Sequence, residues 1–162
     1  MRHFIRQTIR LNITFWEKPG CGGNMKQKAV LRAAGHTVVP RNLLTEPWTR
    51  SRLLAFFGHR PVAHWFNRAA PDVKNGDIVP EELDEATALG LLQHNPILIR
   101  RPLMQAGDGS RMVGFVLSEV DAWVGLDAAP PVEGDPEACV QGVGGRRCAD
   151  PDHHGSDAGT HP

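Results

Sequence analysis

Two hydrophobic patterns lie next to each other near the start of the chain. The apolar run NITFW, at residues 12–16, is typical of a strand. After Gly23, apolar residues recur every four positions, which is the spacing of one face of a helix. We therefore predict a strand at 12–16 and a helix at 23–35 that closes at Gly35. The apolar positions of this helix are Met25, Ala29 and Ala33, with Val30 and Ala34 beside them, and the basic positions on the other face are Lys26, Lys28 and Arg32.

The next part of the chain is predicted to contain a strand and a helix. The run TVVPR, at 37–41, indicates a strand, and residues 45–58 indicate a helix with Thr45 or Thr49 as its N-cap. Residues 61–70 are expected to form a short helix or a turn.

A further helix is predicted over residues 80–95. Pro80 stands at the expected helical start, and acidic residues fill the first turn, where they oppose the positive end of the helix dipole. The side chains predicted to point inward are Leu83, Ala86 or Thr87, and Leu91.

The last elements are predicted to be a hairpin and a helix. Residues 96–105 and 111–116 are expected to be extended, and the turn AGDGS at 106–110 joins them. Ser118 is predicted to open the last helix, which covers 118–126.

This order of elements indicates the fold class. A right-handed βαβ crossover, followed by helices and then an antiparallel hairpin, gives a mixed four-stranded sheet with helices on both faces. That is the layout of the thioredoxin fold, in the α/β class.

Composition and charge divide the chain of 162 residues into three regions. We predict a loose leader at 1–10, a folded domain at 11–126 and a disordered tail at 127–162. The tail is rich in Gly and Pro and poor in large aliphatic residues, so it cannot bury enough apolar surface to offset its chain entropy. Residues 1–126 hold 16 Lys and Arg against 11 Asp and Glu, whereas the tail holds 2 against 7. The folded region is therefore basic and suited to small anions or acidic partners.

Several classes of protein are not expected. No apolar run approaches the roughly 20 residues that cross a bilayer, and the first residues lack the apolar core of a secretory signal, so a cytoplasmic protein is expected. Basic residues are too sparse for a nucleic-acid surface. Three cysteines without a signal peptide do not indicate a disulfide framework. The tail residues that could bind a metal match no closed zinc spacing; they are Cys139, Cys148, His153, His154 and His161.

Cys21 is the main candidate for chemistry. It precedes the predicted helix, so its thiol should lie at the positive end of the helix dipole, with Lys18 and Lys26 nearby, and all of these favour thiolate. Glycines on both sides of it can present backbone N–H groups to an oxyanion. The thiolate could attack an oxidised substrate, a disulfide or the central atom of an oxyanion. The alternative, equally weighted, is a small residue packed in a glycine turn.

The loop around Cys21 lacks a second thiol. A Cys-x-x-Cys pair would place its second cysteine at position 24, where this chain has Asn24. A dithiol mechanism inside the loop is therefore excluded, and turnover would need an external thiol such as glutathione, a partner protein or a tail cysteine.

Two adjacent arginines form a second candidate cluster. Arg100 and Arg101 alternate in a predicted extended segment, so one should point into the site and the other away from it. Pro102 follows directly, which predicts a cis peptide bond between Arg101 and Pro102. The alternative is a strand start with a surface arginine.

Four segments together resemble a known family. FWEKPGCGGNMKQKAVLRAAGH, WFNRAAPDVKNG, LLQHNPILIRRPLM and GSRMVGF look like the glutaredoxin-linked arsenate reductases, a family that also contains Spx-type regulators. The opening EKPGC with KQKA, and FNRAAP, resemble the nitrogenase-associated branch of that family. The resemblance covers about residues 11–125.

The resemblance implies a fold, a mechanism and a set of residues. The fold would be thioredoxin-like with an inserted helical segment. In the mechanism a thiolate attacks arsenic, arginines hold the oxyanion, and glutathione with glutaredoxin resolves the adduct. Carried over by position, Cys21 matches the nucleophile, while Arg68 and Arg101 match two anion-binding arginines. A third arginine is replaced by Gly114, and Arg111 could partly substitute for it.

The cysteine loop departs from the pattern of the reductases. Their Cys-x-x-Ser-Arg-Asn becomes Cys-Gly-Gly-Asn-Met-Lys here, and Lys26 can replace the lost arginine only as a point charge. The expected substrate-binding residues in and near this loop are Lys18, Gly22, Gly23, Asn24 and Lys26.

These features support one main hypothesis and two alternatives. We expect an accessory protein of nitrogen fixation with a single reactive thiol, no bound cofactor or metal, and glutathione or glutaredoxin as an external reductant. Its partner would be a small oxyanion, glutaredoxin or a nitrogen-fixation protein. The alternatives are a working arsenate reductase and a non-catalytic Spx-like interaction module.

Overall fold

The computed structural model describes residues 9–126, whose central element is one four-stranded sheet. The strand order is β2-β1-β3-β4. The first two strands are parallel, and the other neighbouring pairs are antiparallel. The strands are β1 (Asn12–Glu17), β2 (Thr37–Asn42), β3 (Leu103–Ala106) and β4 (Arg111–Val113).

The described residues also form five α-helices and three short 3₁₀ segments. The 3₁₀ segments are Val62–Trp65, Pro80–Glu82 and Pro96–Leu98. The helices are α1 (Gly22–Ala33), α2 (Arg50–Phe57), α3 (Pro71–Lys74), α4 (Glu85–His94) and α5 (Leu117–Val124). None of these helices is long and apolar enough to cross a membrane.

Alternation along β1 sends its side chains to two separate cores. Phe15 and its same-face neighbours pack with residues of α1 and α5. Trp16 points to the opposite face and packs with residues of α2 and α4, and Phe57 and Trp65 of this second core stack with ring centroids 4.8 Å apart. Because helices cover both faces of a mixed sheet, the predicted thioredoxin-like fold is confirmed. The segment from α2 to α4 is the inserted helical part.

Most predicted elements occur close to their expected positions. The strands at 12–16 and 37–41 are confirmed, and the turn at 106–110 joins β3 to β4. Gly35 directly follows Ala34, the C-cap residue of α1, and has the positive φ of 95° that is typical of a glycine after a helix end. Thr49 is the N-cap of α2, where its side chain accepts a hydrogen bond from the backbone N–H of Arg52.

The predicted apolar face of α1 is confirmed only in part. Val30 and Ala34 are buried as predicted and Leu31 is buried beside them, whereas Met25 is 62% exposed and Ala29 and Ala33 face solvent. The larger apolar side chains bury more surface, so they determine how the helix is rotated.

The start of α4 also differs from the prediction. Asp84 is its N-cap, and its carboxylate accepts from the N–H of Thr87 at 2.7 Å, so the helix begins there and Pro80 belongs to a separate 3₁₀ turn. Ala86 and Thr87 are exposed, which contradicts their inward assignment.

Two predictions near the end of the domain are wrong as well. The segment 96–105 is extended only in part, because Pro96–Leu98 forms a 3₁₀ turn before β3. Ser118 does not cap the last helix, since the N-cap of α5 is Val116 and Ser118 is exposed. The predicted tail at 127–162, and the leader at 1–10 except for its last two residues, lie outside the described residues.

Candidate functional site

Cys21 lies where β1 passes into α1. Its backbone N–H donates to the carbonyl oxygen of Lys18 at 3.2 Å, and its own carbonyl accepts from the N–H of Met25 at 3.1 Å. Its backbone is extended, with φ −75° and ψ 118°, so Cys21 is the N-cap residue of α1. The side chain is only 3% exposed. The thiol is therefore held at the helix start and is shielded from bulk water.

The surroundings of the first turn of α1 are electropositive. This turn contains no acidic residue, and the unpaired N–H groups of a helix start carry partial positive charge. Lys18 is half-buried, while Lys26 is exposed on the second turn. These features favour negative charge at the sulfur of Cys21 or on a small anion beside it.

A buried pair of amide side chains braces the cysteine loop. The Oδ1 of Asn24 accepts from the backbone N–H of Lys18 at 3.3 Å, and its Nδ2 donates to the Oε1 of Gln27 at 2.8 Å. Both amides are at most 2% exposed. The Asn24 side chain, which the sequence assigned to substrate binding, is thus engaged in holding the loop on α1. Gln27 was missed, although its spacing of three residues from Asn24 on one helix was available as a signal.

An ion pair, also missed from the sequence, ties the end of β1 to α1. The Nζ of Lys28 lies 2.8 Å from a carboxylate oxygen of Glu17, and both side chains are mostly buried. This pair and the Asn24 brace restrain both ends of the segment that carries Cys21.

Arg101 and Pro102 lie at the same end of the sheet as Cys21. The peptide bond between them is cis, as predicted. Leu103 pairs with Trp16, which puts Pro102 at the level of Glu17, just before the cysteine loop. Arg101 is 8% exposed, so its guanidinium charge is largely removed from water at this end of the sheet.

Arg100 occupies the space next to Gly114. The N–H of Gly114 donates to the carbonyl of Pro102 at 2.8 Å, and Gly114 has a φ of 73°. A Cβ atom at Gly114 would lie 2.6 Å from the Nε and from the Nη2 of Arg100. The guanidinium of Arg100 is therefore packed directly on the backbone of this glycine.

Arg68 lies at the surface in an ion pair. Its guanidinium donates to the carboxylate of Glu81 and to the carbonyl of Ala63, and its side chain is 53% exposed. The hydrogen bond from Arg68 lowers the pKa of the Glu81 carboxyl. An anion that used Arg68 would have to compete with Glu81.

Arg111 is on the face of the sheet that α2 covers. It pairs with Gln105 across the strands, is exposed, and has its Cζ 5.7 Å from the ring centroid of Phe56. This stacking uses the guanidinium face for packing. A separate open cavity of about 520 Å³ lies on the sheet between Thr14, Arg41 and Arg52, and no predicted site residue lines it.

The fold and these contacts define a class of protein. It is an α/β protein with a thioredoxin-like fold, in which Cys21 lies at the start of the first helix and at the same end of the sheet as Arg101 and Pro102. The chain belongs to the ArsC family, whose model matches residues 17–123.

Comparisons with known proteins agree with this membership. An uncharacterised 15.7 kDa protein in the draG 3' region of Rhodospirillum rubrum is 46% identical over 139 residues, which are 86% of this chain and 95% of that protein. The global transcriptional regulator Spx of Streptococcus mutans is 26% identical over 118 residues, covering 71% and 85% of the two chains. A putative ArsC family related protein from Bacteroides fragilis has a similar structure, with a TM-score of 0.60 and 23% identity over 68% of this chain and 97% of that one.

Proposed function

We propose that this protein uses the thiol of Cys21 in redox or oxyanion chemistry, as a cytoplasmic accessory protein of nitrogen fixation. The observation that carries the proposal is that Cys21, buried at the start of α1, lies at the same end of the sheet as the buried Arg101. A positive charge near a thiol favours its thiolate form and attracts small anions.

In the proposed reaction Cys21 acts as the nucleophile. Its thiolate attacks the central atom of a tetrahedral oxyanion such as arsenate, a sulfur–arsenic bond forms, and one oxygen leaves as water after it takes up protons. Reduction to the trivalent state needs two electrons. The two electrons come from one glutathione thiol and one glutaredoxin thiol, both external, which are oxidised to a mixed disulfide. Water then cleaves the sulfur–arsenic bond, which releases arsenite and restores the thiol of Cys21. The chain itself supplies the nucleophile and the positive charges that hold the anion.

The link to nitrogen fixation is supported by the resemblance of the EKPGC and FNRAAP segments to the nitrogenase-associated branch. It is tested by deleting the gene in its host and measuring growth on dinitrogen and nitrogenase activity. We expect loss of the protein to impair both, and the unaltered gene, but not a Cys21→Ser version, to restore them.

Other outcomes of this experiment select the alternatives. Full restoration by Cys21→Ser would contradict a working thiol and support a non-catalytic interaction module, the alternative that the 26% identity with Spx favours. Normal growth without the gene would contradict the accessory role. The deletion strain could instead become sensitive to arsenate, with resistance restored only by the version that keeps Cys21. That result would favour a working arsenate reductase, the alternative that the ArsC family match supports.

A further inference from the structure

The guanidinium of Arg100 occupies the space in which any other residue at position 114 would place its Cβ atom. Any other residue would bring its Cβ within 2.6 Å of two guanidinium nitrogens, and its backbone would have to adopt a φ of 73°. Both conditions are met without strain only by glycine. Arg100 and Gly114 therefore form a unit in which the missing side chain makes room for the guanidinium.

This unit lies at the end of the sheet that carries Cys21. Gly114 is hydrogen-bonded to Pro102, and Pro102 stands level with the last residue of β1, from which the cysteine loop starts. The backbone N–H of Arg100 donates to the carbonyl of Trp65 at 2.8 Å, which fixes the point from which its side chain extends. Arg100 is half-buried, and its guanidinium is held by packing on Gly114.

We propose that Arg100, seated on Gly114, is an anion-binding residue of the Cys21 site that presents a planar guanidinium to a tetrahedral oxyanion. This inference rests on the proposed function, because it assigns a further residue to the same site. A guanidinium held in place loses little freedom when it binds, and its paired N–H groups match two oxygens of such an anion. Arg111, the substitute expected from the sequence, instead lies over Phe56 on the face that α2 covers.

The experiment uses the full-length chain with Cys139 and Cys148 replaced by serine, so that Cys21 is the one cysteine that can react. The alkylation rate of Cys21 by iodoacetamide is measured against increasing arsenate, phosphate or sulfate, and the half-protecting concentration is read for each. In Arg100→Gln we expect the half-protecting concentration to rise by about 10- to 100-fold, because one or two charge-assisted hydrogen bonds to the anion are lost. Arg100→Lys should weaken anion protection less than Arg100→Gln does, because lysine keeps the positive charge but lacks the paired N–H groups of a guanidinium.

Two further variants separate binding from structure. Gly114→Ala should reproduce the Arg100→Gln effect, because its methyl group displaces the guanidinium. Arg32→Gln, an exposed arginine in the last turn of α1, is the matched control and should leave protection unchanged. If Gly114→Ala does not fold, as seen by circular dichroism, the Arg100 variants alone decide. A purely structural role for Arg100 would change the alkylation rate without anion but not the half-protecting concentration.

Each result has a distinct meaning. Protection that is unchanged in Arg100→Gln overturns this inference and leaves the proposed function standing, and loss of protection in Arg111→Gln instead would assign the role to Arg111. If none of the three anions protects Cys21 in the unaltered protein, oxyanion binding is contradicted, and this inference fails with it. Thiol redox chemistry at Cys21 would not be contradicted by that result. Failure of the nitrogen-fixation experiment leaves the protection measurement and its outcome intact.

Discussion

The imidazole of His36 donates from Nε2 to the carbonyl oxygen of Gly125, 2.8 Å away, and so joins the start of β2 to the end of α5. Its Nδ1 accepts from the backbone N–H of Leu11 at 3.1 Å, which requires the tautomer that carries its proton on Nε2. The ring is 3% exposed. One buried side chain thus connects three segments that are far apart in sequence.

Removing this ring should destabilise the domain. His36→Ala leaves the Leu11 N–H and the Gly125 carbonyl without their partner, so we expect the free energy of unfolding to fall by about 1–3 kcal/mol. Urea unfolding measures it, with the exposed His59→Ala as the matched control, which should change little. A nitrogen-detected NMR spectrum should also show the proton on Nε2, and the opposite tautomer would contradict the hydrogen-bond scheme.

Thr49 should contribute more to stability than Thr45. The hydroxyl of Thr49 accepts from the Arg52 N–H at 3.2 Å and satisfies one of the unpaired donors at the start of α2. Thr49→Ala is expected to cost about 1 kcal/mol, and Thr49→Ser much less. Thr45→Ala is the control, since Thr45 is exposed and lies outside α2. Equal losses for both alanine variants would mean that the cap contributes nothing specific.

Asp84 should make stability depend on pH in the acid range. Hydrogen bonds from Thr87 lower the pKa of the Asp84 carboxyl in the folded protein. The ionised cap therefore stabilises the folded protein fully at pH values above about 3.9, the pKa of an unfolded aspartate. This contribution is lost as the pH falls through the lower pKa of Asp84 in the folded protein. We expect the difference in unfolding free energy between the protein and Asp84→Asn to shrink below pH about 4. A carboxyl titration by NMR with a midpoint at or above that of an unfolded aspartate would refute the prediction.

Cys21 should react as a thiolate near neutral pH. We expect its alkylation by iodoacetamide, with both tail cysteines replaced by serine, to have a midpoint below about 8.5, the value of an unperturbed cysteine. The helix start and Arg101 favour the anion, whereas burial opposes it. The same chain in strong denaturant is the reference, and Arg101→Gln should move the midpoint upward. A folded midpoint no lower than the denatured one would remove the case for a working thiol.

Arsenate turnover with glutathione and glutaredoxin should be weak, and Met25→Arg should raise it. Each oriented contact absent from the transition state costs on the order of 2–4 kcal/mol, or roughly 30- to 1,000-fold in rate. Position 25 is 62% exposed beside the cysteine loop and has room for a guanidinium. Gly114→Arg, the other apparent restoration, should instead destabilise the protein, because its Cβ meets Arg100. Turnover comparable with a true reductase in the unaltered protein would contradict this account.

The sequence by itself determined the elements whose causes are local. The strand, glycine turn and helix around Cys21 and the β3–β4 turn follow from patterns within a dozen residues, and the same patterns limit the N-cap of α2 to Thr45 or Thr49. The cis bond before Pro102 was expected from the resemblance to the reductases, since a proline only lowers the cost of a cis bond and does not by itself require one. From these elements the handedness of the crossover leaves few arrangements of the sheet.

Only the tertiary structure decided how the side chains at the site are used. The rotation of α1, the ion pair of Arg68 with Glu81 and the seating of Arg100 on Gly114 each depend on contacts between segments that the sequence separates. When the arginines of the reductases are matched to this sequence by position, each position either has an arginine or lacks one. A guanidinium, however, sits at the end of a long side chain, and contacts between distant segments determine where that group lies, as the position of Arg100 beside Gly114 shows.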